Sequence, residues 1–241
     1  MIGLGTIVNV IAVLVGGGVG LVLHGGIPER FQKILMQSLG LSTMVIGLGG
    51  SLKEMFVIND GVISTQGTML LILSLVAGGF LGELLKIEQR LDSLGEWVKN
   101  KVVAKNDSHF VEGFVSATLI ICVGAMAIVG SLQDGLTGDP STLITKSILD
   151  CVLLVVMAST FGVGALFSAI PVGLYQGAIT VCAAFASAWM SDRLIANLSL
   201  VGSVLIFVVG CNVAFGKKFS PANLLPALLG PAVYEIVLYF L

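Results

Sequence analysis

Lys146 and Asp150 stand four positions apart inside an apolar stretch, and Asp150 runs directly into Cys151-Val152-Leu153-Leu154-Val155-Val156-Met157. On a helix these positions share a face, so the two charges can neutralise each other. An ionisable side chain at the centre of a membrane helix costs at least ~2.5–3.5 kcal/mol, which makes such residues the first candidates for function. Two readings are open for this pair. Asp150 is either a proton or cation site with Lys146 as a competing charge, or half of a structural ion pair near the outer interface with Lys146 snorkelling outward.

Glu83 and Glu235 are the next acidic candidates. Glu83 lies near the end of its apolar run and reads equally as an interfacial carboxylate. Glu235 lies several residues inside the last run, and a carboxylate among apolar groups can bind and release a proton near neutral pH. Asn9, Gln176, Asn197, Asn212 and Asn223 place amides within apolar runs as well. They either bind a polar solute or hydrogen-bond between helices, a contact worth about 0.6 kcal/mol on average.

Other patterns exclude more than they assign. Gly16-Gly17-Gly18-Val19-Gly20 has no preceding strand, so it is not a dinucleotide loop. It reads as a close-packing face or as a broken helix exposing backbone groups, as does Gly47-Leu48-Gly49-Gly50. Leu136-Thr137-Gly138-Asp139-Pro140-Ser141 reads as a turn leading into a helix with Ser141 as its cap. No His-Glu-x-x-His, Gly-x-Ser-x-Gly or phosphate-binding Gly-Lys-Ser/Thr motif occurs, and the expectation is not an enzyme. His24 and His109 both fall near expected cytoplasmic loops. Cys122, Cys151, Cys182 and Cys211 show no metal-ligand spacing, so no metal and no cofactor are expected.

The elements that carry these residues follow from composition. Of 241 residues, 56% are hydrophobic and 11% charged, and the mean hydropathy is +1.04. A soluble domain carries about 25% charged residues. The excess sits in runs of about 20 residues, the length that crosses ~30 Å of hydrocarbon. A net charge of −2 excludes a nucleic-acid footprint. The expectation is an all-α polytopic transmembrane bundle, a single domain over 1–241. Eight spans are expected, at about 2–23, 33–52, 66–85, 111–132, 142–169, 171–190, 194–215 and 221–241. The fifth is long and reads as tilted or broken, with Pro171 expected to separate it from the sixth. Seven spans is the alternative, with one weak segment re-entrant or two counted as one. The first run starts at Ile2 with no basic stretch before it and reads as a retained helix rather than a signal peptide.

Basic residues set the orientation. With eight spans, one set of loops holds Arg30, Lys33, Lys86, Arg90, Lys99, Lys101, Lys105, Lys217 and Lys218, and the other only Lys53, Lys146 and Arg193. Both termini are therefore expected outside. The cytoplasmic segment 86–109 carries Ile87, Leu91, Leu94, Val98 and Val102 at spacings of three and four, beside Trp97. It reads as an amphipathic helix, lying in the headgroup region or packed on the bundle.

The chain also repeats itself. Glu29-Arg30 precedes the second span and Asp192-Arg193 the seventh, and Gly47 and Gly210 stand 17 residues after each arginine. Gly78-Gly79-Phe80-Leu81-Gly82-Glu83 and Gly230-Pro231-Ala232-Val233-Tyr234-Glu235 place a glutamate at one offset in the third and eighth spans. Spans 1–3 thus read as an inverted repeat of spans 6–8, an arrangement found in secondary transporters. Gly50-Ser51-Leu52-Lys53-Glu54 and Gly130-Ser131-Leu132-Gln133-Asp134 form a second echo, read as a common helix ending or as duplication.

Three stretches carry a family resemblance: Cys122 to Ser131, Asp134-Gly135-Leu136-Thr137-Gly138-Asp139-Pro140, and Thr145-Lys146-Ser147-Ile148-Leu149-Asp150. Together with Gly3 to Gly20 and Ile170 to Gly177, they resemble the bacterial YdfK/YqgA family of inner-membrane proteins over nearly the whole chain. The resemblance implies a multi-pass protein of the bacterial cytoplasmic membrane, commonly described as a possible transporter, and carries over no site residues.

The expected function is secondary transport of a small polar or charged solute, coupled to a proton or cation. The site is expected at the repeat interface near Asn9, Asp150, Gln176 and Glu235, with Lys146, Glu83 and Asn212 as further candidates. A passive channel is the alternative, or a scaffold or regulator that docks partners on 86–109. Expected partners are membrane lipids, the solute and further copies of the chain.

Overall fold

Apolar runs with no water around them must satisfy their backbone N–H and C=O groups internally, which leaves the helix as the local solution. The computed structural model describes residues 1–23, 28–59, 62–90, 93, 97, 109–122, 125–188, 190–216 and 218–240. Its helices are α1 (Leu4–Val22), α2 (Glu29–Met55), α3 (Thr68–Leu84), α4 (His109–Cys122), α5 (Ala125–Thr137), α6 (Ser141–Phe161), α7 (Val163–Leu166), α8 (Ala169–Ser187), α9 (Asp192–Phe215) and α10 (Gly230–Phe240). A 3-10 helix, Pro221–Leu229, leads into α10, and two short strands, β1 (Phe56–Asn59) and β2 (Val62–Thr65), follow α2.

The fold is an all-α bundle. Among the described residues, five stretches are long and apolar enough to cross a membrane: Leu4–Val22, Ser141–Ser159, Val163–Ser187, Asp192–Phe215 and Pro221–Leu238. A sixth is added if α4 and α5, which meet at 55°, form one bent span. The second expected span falls within α2, 27 residues long but broken up by Gln37, Ser38, Ser42 and Thr43. The third is α3, only 17 residues.

Four local features differ from the sequence expectation. The fifth run stops at Phe161, where Gly162 takes φ +69, and Pro171 does not make the break. Pro171 sits in the first turn of α8, where no intrahelical N–H donor is required. The helix start at Ser141 is capped by Asp139, whose Oδ1 accepts the Ser141 N–H at 3.0 Å. The final run opens as a 3-10 helix containing Pro226, since proline removes a donor and clashes with an α turn. The strands form an unexpected antiparallel hairpin with Val57 opposite Ser64. Of the expected 86–109 helix, residues 87–90 are helical, as are Ser93 and Trp97. Lys86 sits in a turn with φ 51 and His109 opens α4, while the remaining residues of that segment lie outside the described residues.

Glycine sets how the helices meet. On α1, Thr6, Asn9, Val13, Gly16, Gly17 and Gly20 are buried, while Ile7, Ile11, Leu14 and Val15 are exposed on the other side. This is a helix with small and polar groups inward and aliphatic groups toward lipid. Gly16 and Gly20 lie directly on the backbone of Cys151 and Val155, so α1 and α6 run side by side in the same direction. Gly40 lies on Ala214 and Gly47 on Phe207, so α2 and α9 run antiparallel. Gly78 and Gly82 of α3 lie on Ala227 and Asn223, again antiparallel. The main apolar core joins Val13, Ala117, Ile121, Leu154, Met157, Ala165 and Val172. A smaller one joins Val129, Leu205 and Ile206.

Candidate functional site

Three helices bring polar side chains to one buried point. Asn9 of α1 is 0% exposed, as is Gln176 of α8. The Asn9 Nδ2 donates to Asp150 Oδ2 at 2.9 Å and to Gln176 Oε1 at 3.0 Å. Asp150 Oδ2 also accepts from Lys146 Nζ, one turn earlier on α6. The Lys146 and Asp150 side chains are 6% and 7% exposed, so the pair is sealed within protein. Asp150 stands at the middle of the Ser141–Ser159 stretch and Gln176 close to the middle of Val163–Ser187. One turn along, the Thr6 and Thr180 hydroxyls lie 3.4 Å apart. Along their own stretches Asp150 and Gln176 are central, whereas Asn9 is the sixth residue of α1.

The cluster is incompletely satisfied. Asn9 Oδ1 and Gln176 Nε2 are buried without a hydrogen-bond partner. Turning the amides over does not remove the deficit. The carboxylate only accepts, so Asn9 must present its NH₂ to Asp150, and the same NH₂ then requires an oxygen from Gln176. An unpaired buried polar group costs about 1–3 kcal/mol. An acceptor and a donor left open beside a carboxylate are what a small hydrogen-bonding guest would occupy.

Asp134 is a buried carboxylate that the sequence reading did not select. It is 0% exposed, and it accepts the backbone N–H groups of Gly3 at 3.3 Å and Gly5 at 3.1 Å. It thereby caps α1 from a distant part of the chain, where an anion complements the unsatisfied first-turn donors. The available signal was the Ser-x-x-Asp spacing, present at Ser131/Asp134 and again at Ser147/Asp150.

The remaining candidates lie elsewhere. Glu235 accepts from Arg193 Nε at 2.9 Å and from Ser191 Oγ at 2.7 Å, linking the last helix to the start of α9. Its side chain is 24% exposed, and that of Arg193 58%. Glu83 Oε2 accepts from Asn223 Nδ2 at 2.8 Å, and Asn223 Oδ1 accepts the Glu88 N–H at 2.7 Å, a clamp joining α3 to the 3-10 helix. Asn212 holds the turn after α9, accepting the N–H groups of Lys218 and Phe219 at 2.9 Å. The fold thus assembles Asn9, Lys146, Asp150 and Gln176, and keeps Glu83, Asn212 and Glu235 apart from them.

Two grooves lie outside this cluster. One of about 580 Å³ is lined by residues such as Val129, Leu136, Ile179, Met190 and Leu228. The other, about 900 Å³, runs between Leu73, Leu81 and Val233, with Arg193 and Asn197 among its lining. The first is almost wholly apolar and suits hydrocarbon rather than a polar solute, whereas the second is mainly apolar with Gln66, Asp192, Arg193 and Asn197 at its wall.

Comparison with known proteins agrees with a membrane chain. The family profile described as "Protein of unknown function (DUF554)" matches residues 4–236. The "Uncharacterized membrane protein YdfK" of Bacillus subtilis is 33% identical over 236 residues, covering 98% of this chain and 96% of the relative. The "Uncharacterized protein YqgA" of Escherichia coli is 27% identical over 230 residues, covering 94% and 93%. No solved structure matches.

Proposed function

This chain belongs to the DUF554 family and is a multi-pass membrane protein, and from that premise we propose that it is a secondary transporter rather than an enzyme. It moves a small polar or charged solute across the bacterial cytoplasmic membrane, coupled to a proton or cation. One observation carries this reading: the unpaired Asn9 Oδ1 and Gln176 Nε2 beside the Lys146–Asp150 pair at mid-span. A scaffold has no need of an unfilled donor and acceptor at that depth. A passive channel needs a wetted path, whereas all four side chains are sealed, which favours a gated carrier.

Helix directions support the topology. Crossing the bilayer eight times requires α1 to run with α6 and against α8, and α2 to run against α9, as the packing has them. With the basic residues counted above, both termini lie outside. Spans α1–α3 and α8–α10 then form an inverted repeat, with each member packed against its counterpart. The apolar grooves take acyl chains, and the exposed aliphatic surface of a chain this small suits a homo-oligomer within the membrane.

The test uses the purified full-length chain in proteoliposomes. Amino acids and small carboxylic acids are screened by thermal shift, and the stabilising ones are assayed for uptake. Saturable uptake that Asp150→Asn abolishes supports the reading. Unsaturated flux with single-channel currents gives a channel instead. Absence of any flux together with loss of cellular function on deleting 86–105 gives a scaffold.

A further inference from the structure

The carrier reading rests on a single carboxylate, Asp150, yet the bundle holds a second one in a matching frame. Gly130-Ser131-Leu132-Gln133-Asp134-Gly135 and Lys146-Ser147-Ile148-Leu149-Asp150-Cys151 superpose with a shift of 16 positions, aligning serine with serine and aspartate with aspartate. The helices α1 and α8 match as well. A shift of 167 positions carries Asn9 onto Gln176, amide onto amide, and Gly16, Gly17 and Gly20 onto Ala183, Ala184 and Ser187, small onto small.

Packing obeys these two shifts together. Gly16 of α1 lies on Cys151 of α6, and the shifts turn this contact into Ala183 on Gly135. Gly135 of α5 does lie against Ala183 of α8, 2.6 Å from an added Cβ to the Ala183 methyl. Likewise α2 touches α6 as α9 touches α5. The Asn9–Gln176 hydrogen bond maps onto itself, so it sits on the axis that exchanges the two halves.

The halves differ in what their carboxylates hold. Asp150 has the Asn9 amide and Lys146. Asp134 has the first N–H groups of α1, and Gly130 stands where α6 has its lysine. Of the charged groups on neighbouring elements, the amino group of Met1 acts on Asp134 from the end of α1. Lys146 of α6 is engaged by Asp150 and Arg193 of α9 by Glu235. The α8 and 3-10 segments carry no Asp, Glu, Lys, Arg or His. Gln176 Nε2, the image of the Asn9 donor, has no partner, and neither has Ser131 Oγ one turn before Asp134. Both residues are 0% exposed.

We infer that Asp134 is the second half-site of the carrier. The chain exchanges between the state described, with Asn9 on Asp150, and its image, with Gln176 Nε2 on Asp134. No lysine stands beside Asp134 as Lys146 stands beside Asp150, so in the image state a proton or a monovalent alkali cation supplies the charge that Lys146 supplies to Asp150. The inference rests on the carrier reading, but its test uses no solute.

Thr180→Cys, in full-length chain with the four native cysteines replaced, is reconstituted and labelled by a membrane-impermeant maleimide from either face. Ala184→Cys serves as reporter if Thr180→Cys does not fold. Asn9→Leu weakens the state described and Gln176→Leu weakens its image. They shift the outside-to-inside labelling ratio in opposite directions, each about threefold, the effect of one interhelical hydrogen bond. Shifts of one sign, or none, overturn the inference. Acid, or sodium or potassium in place of choline, also shifts the ratio, and Asp134→Asn removes that response. An acid response alone identifies the proton, and a response to alkali chloride identifies the metal cation. A response that survives Asp134→Asn, or no response to either, overturns the assignment. Opposite shifts without saturable uptake keep the two half-sites and dismiss transport. Uptake without opposite shifts does the reverse.

Discussion

Among the ion pairs of the described residues, two share similar chemistry in opposite settings. Lys146–Asp150 is sealed at mid-span, its members 6% and 7% exposed, and Asn9 completes it. Arg193–Glu235 ties the start of α9 to the last helix with its members 58% and 24% exposed. The contrast teaches that a charge within an apolar run is not a buried charge. What separates them is the chain around them. Asp150 faces α1 where Gly16 permits backbone contact, whereas Glu235 faces the end of a neighbouring helix and its N-cap serine. Only in the sealed pair is each charge left stranded when its partner goes.

The sharpest way to break the comparison is Asp150→Leu. It leaves Lys146 buried and unpaired, and unfolding in detergent is expected to lose about 3–5 kcal/mol. The double variant Lys146→Met with Asp150→Leu should regain most of that loss. If the double variant is no more stable than the single one, Lys146 and Asp150 do not compensate each other's burial. Next in size is Asp134→Ala, which strands the Gly3 and Gly5 donors. About 1–3 kcal/mol is expected, with amide hydrogen exchange rising first at the start of α1. Gln176→Leu comes third. Removing one contact and one unpaired donor together leaves stability within about 1 kcal/mol, while saturable uptake is lost, so stability and function part company at this residue. The smallest effect belongs to Glu235→Gln, for which neither the unfolding midpoint nor uptake should change in low or high salt. A large loss there would put the two pairs in one class.

Much of this architecture is visible in the residues themselves. The apolar runs locate every long helix among the described residues, and Gly47 and Gly210, aligned from the sequence alone, each sit in the α2–α9 contact. Lys146, Asp150, Asn9 and Gln176 stand out because charges and amides are costly at that depth. Other features turn on backbone detail that composition does not carry. Gly162 breaks the α6 run because it takes a positive φ, yet many other glycines stay helical. Pro171, the stronger breaker by type, falls in the one turn that tolerates it. Glu235 resembles Asp150 in sequence because depth along a segment says nothing about which way a side chain faces. Asp134 was passed over because its partners are main-chain N–H groups, which no residue type announces.

The 3-10 turn before α10 also changes how far the chain reaches. Nine residues from Pro221 to Leu229 rise about 2.0 Å each, and the 11 of α10 about 1.5 Å each. Together they extend roughly 34 Å, whereas the 17 residues of its neighbour α3 extend only about 26 Å. An overlong and a short element therefore stand flank to flank across a layer ~30 Å deep. The hydrogen bond from Asn223 to Glu83 ties the overlong element to the short one, so a mismatch to bilayer thickness is shared between them.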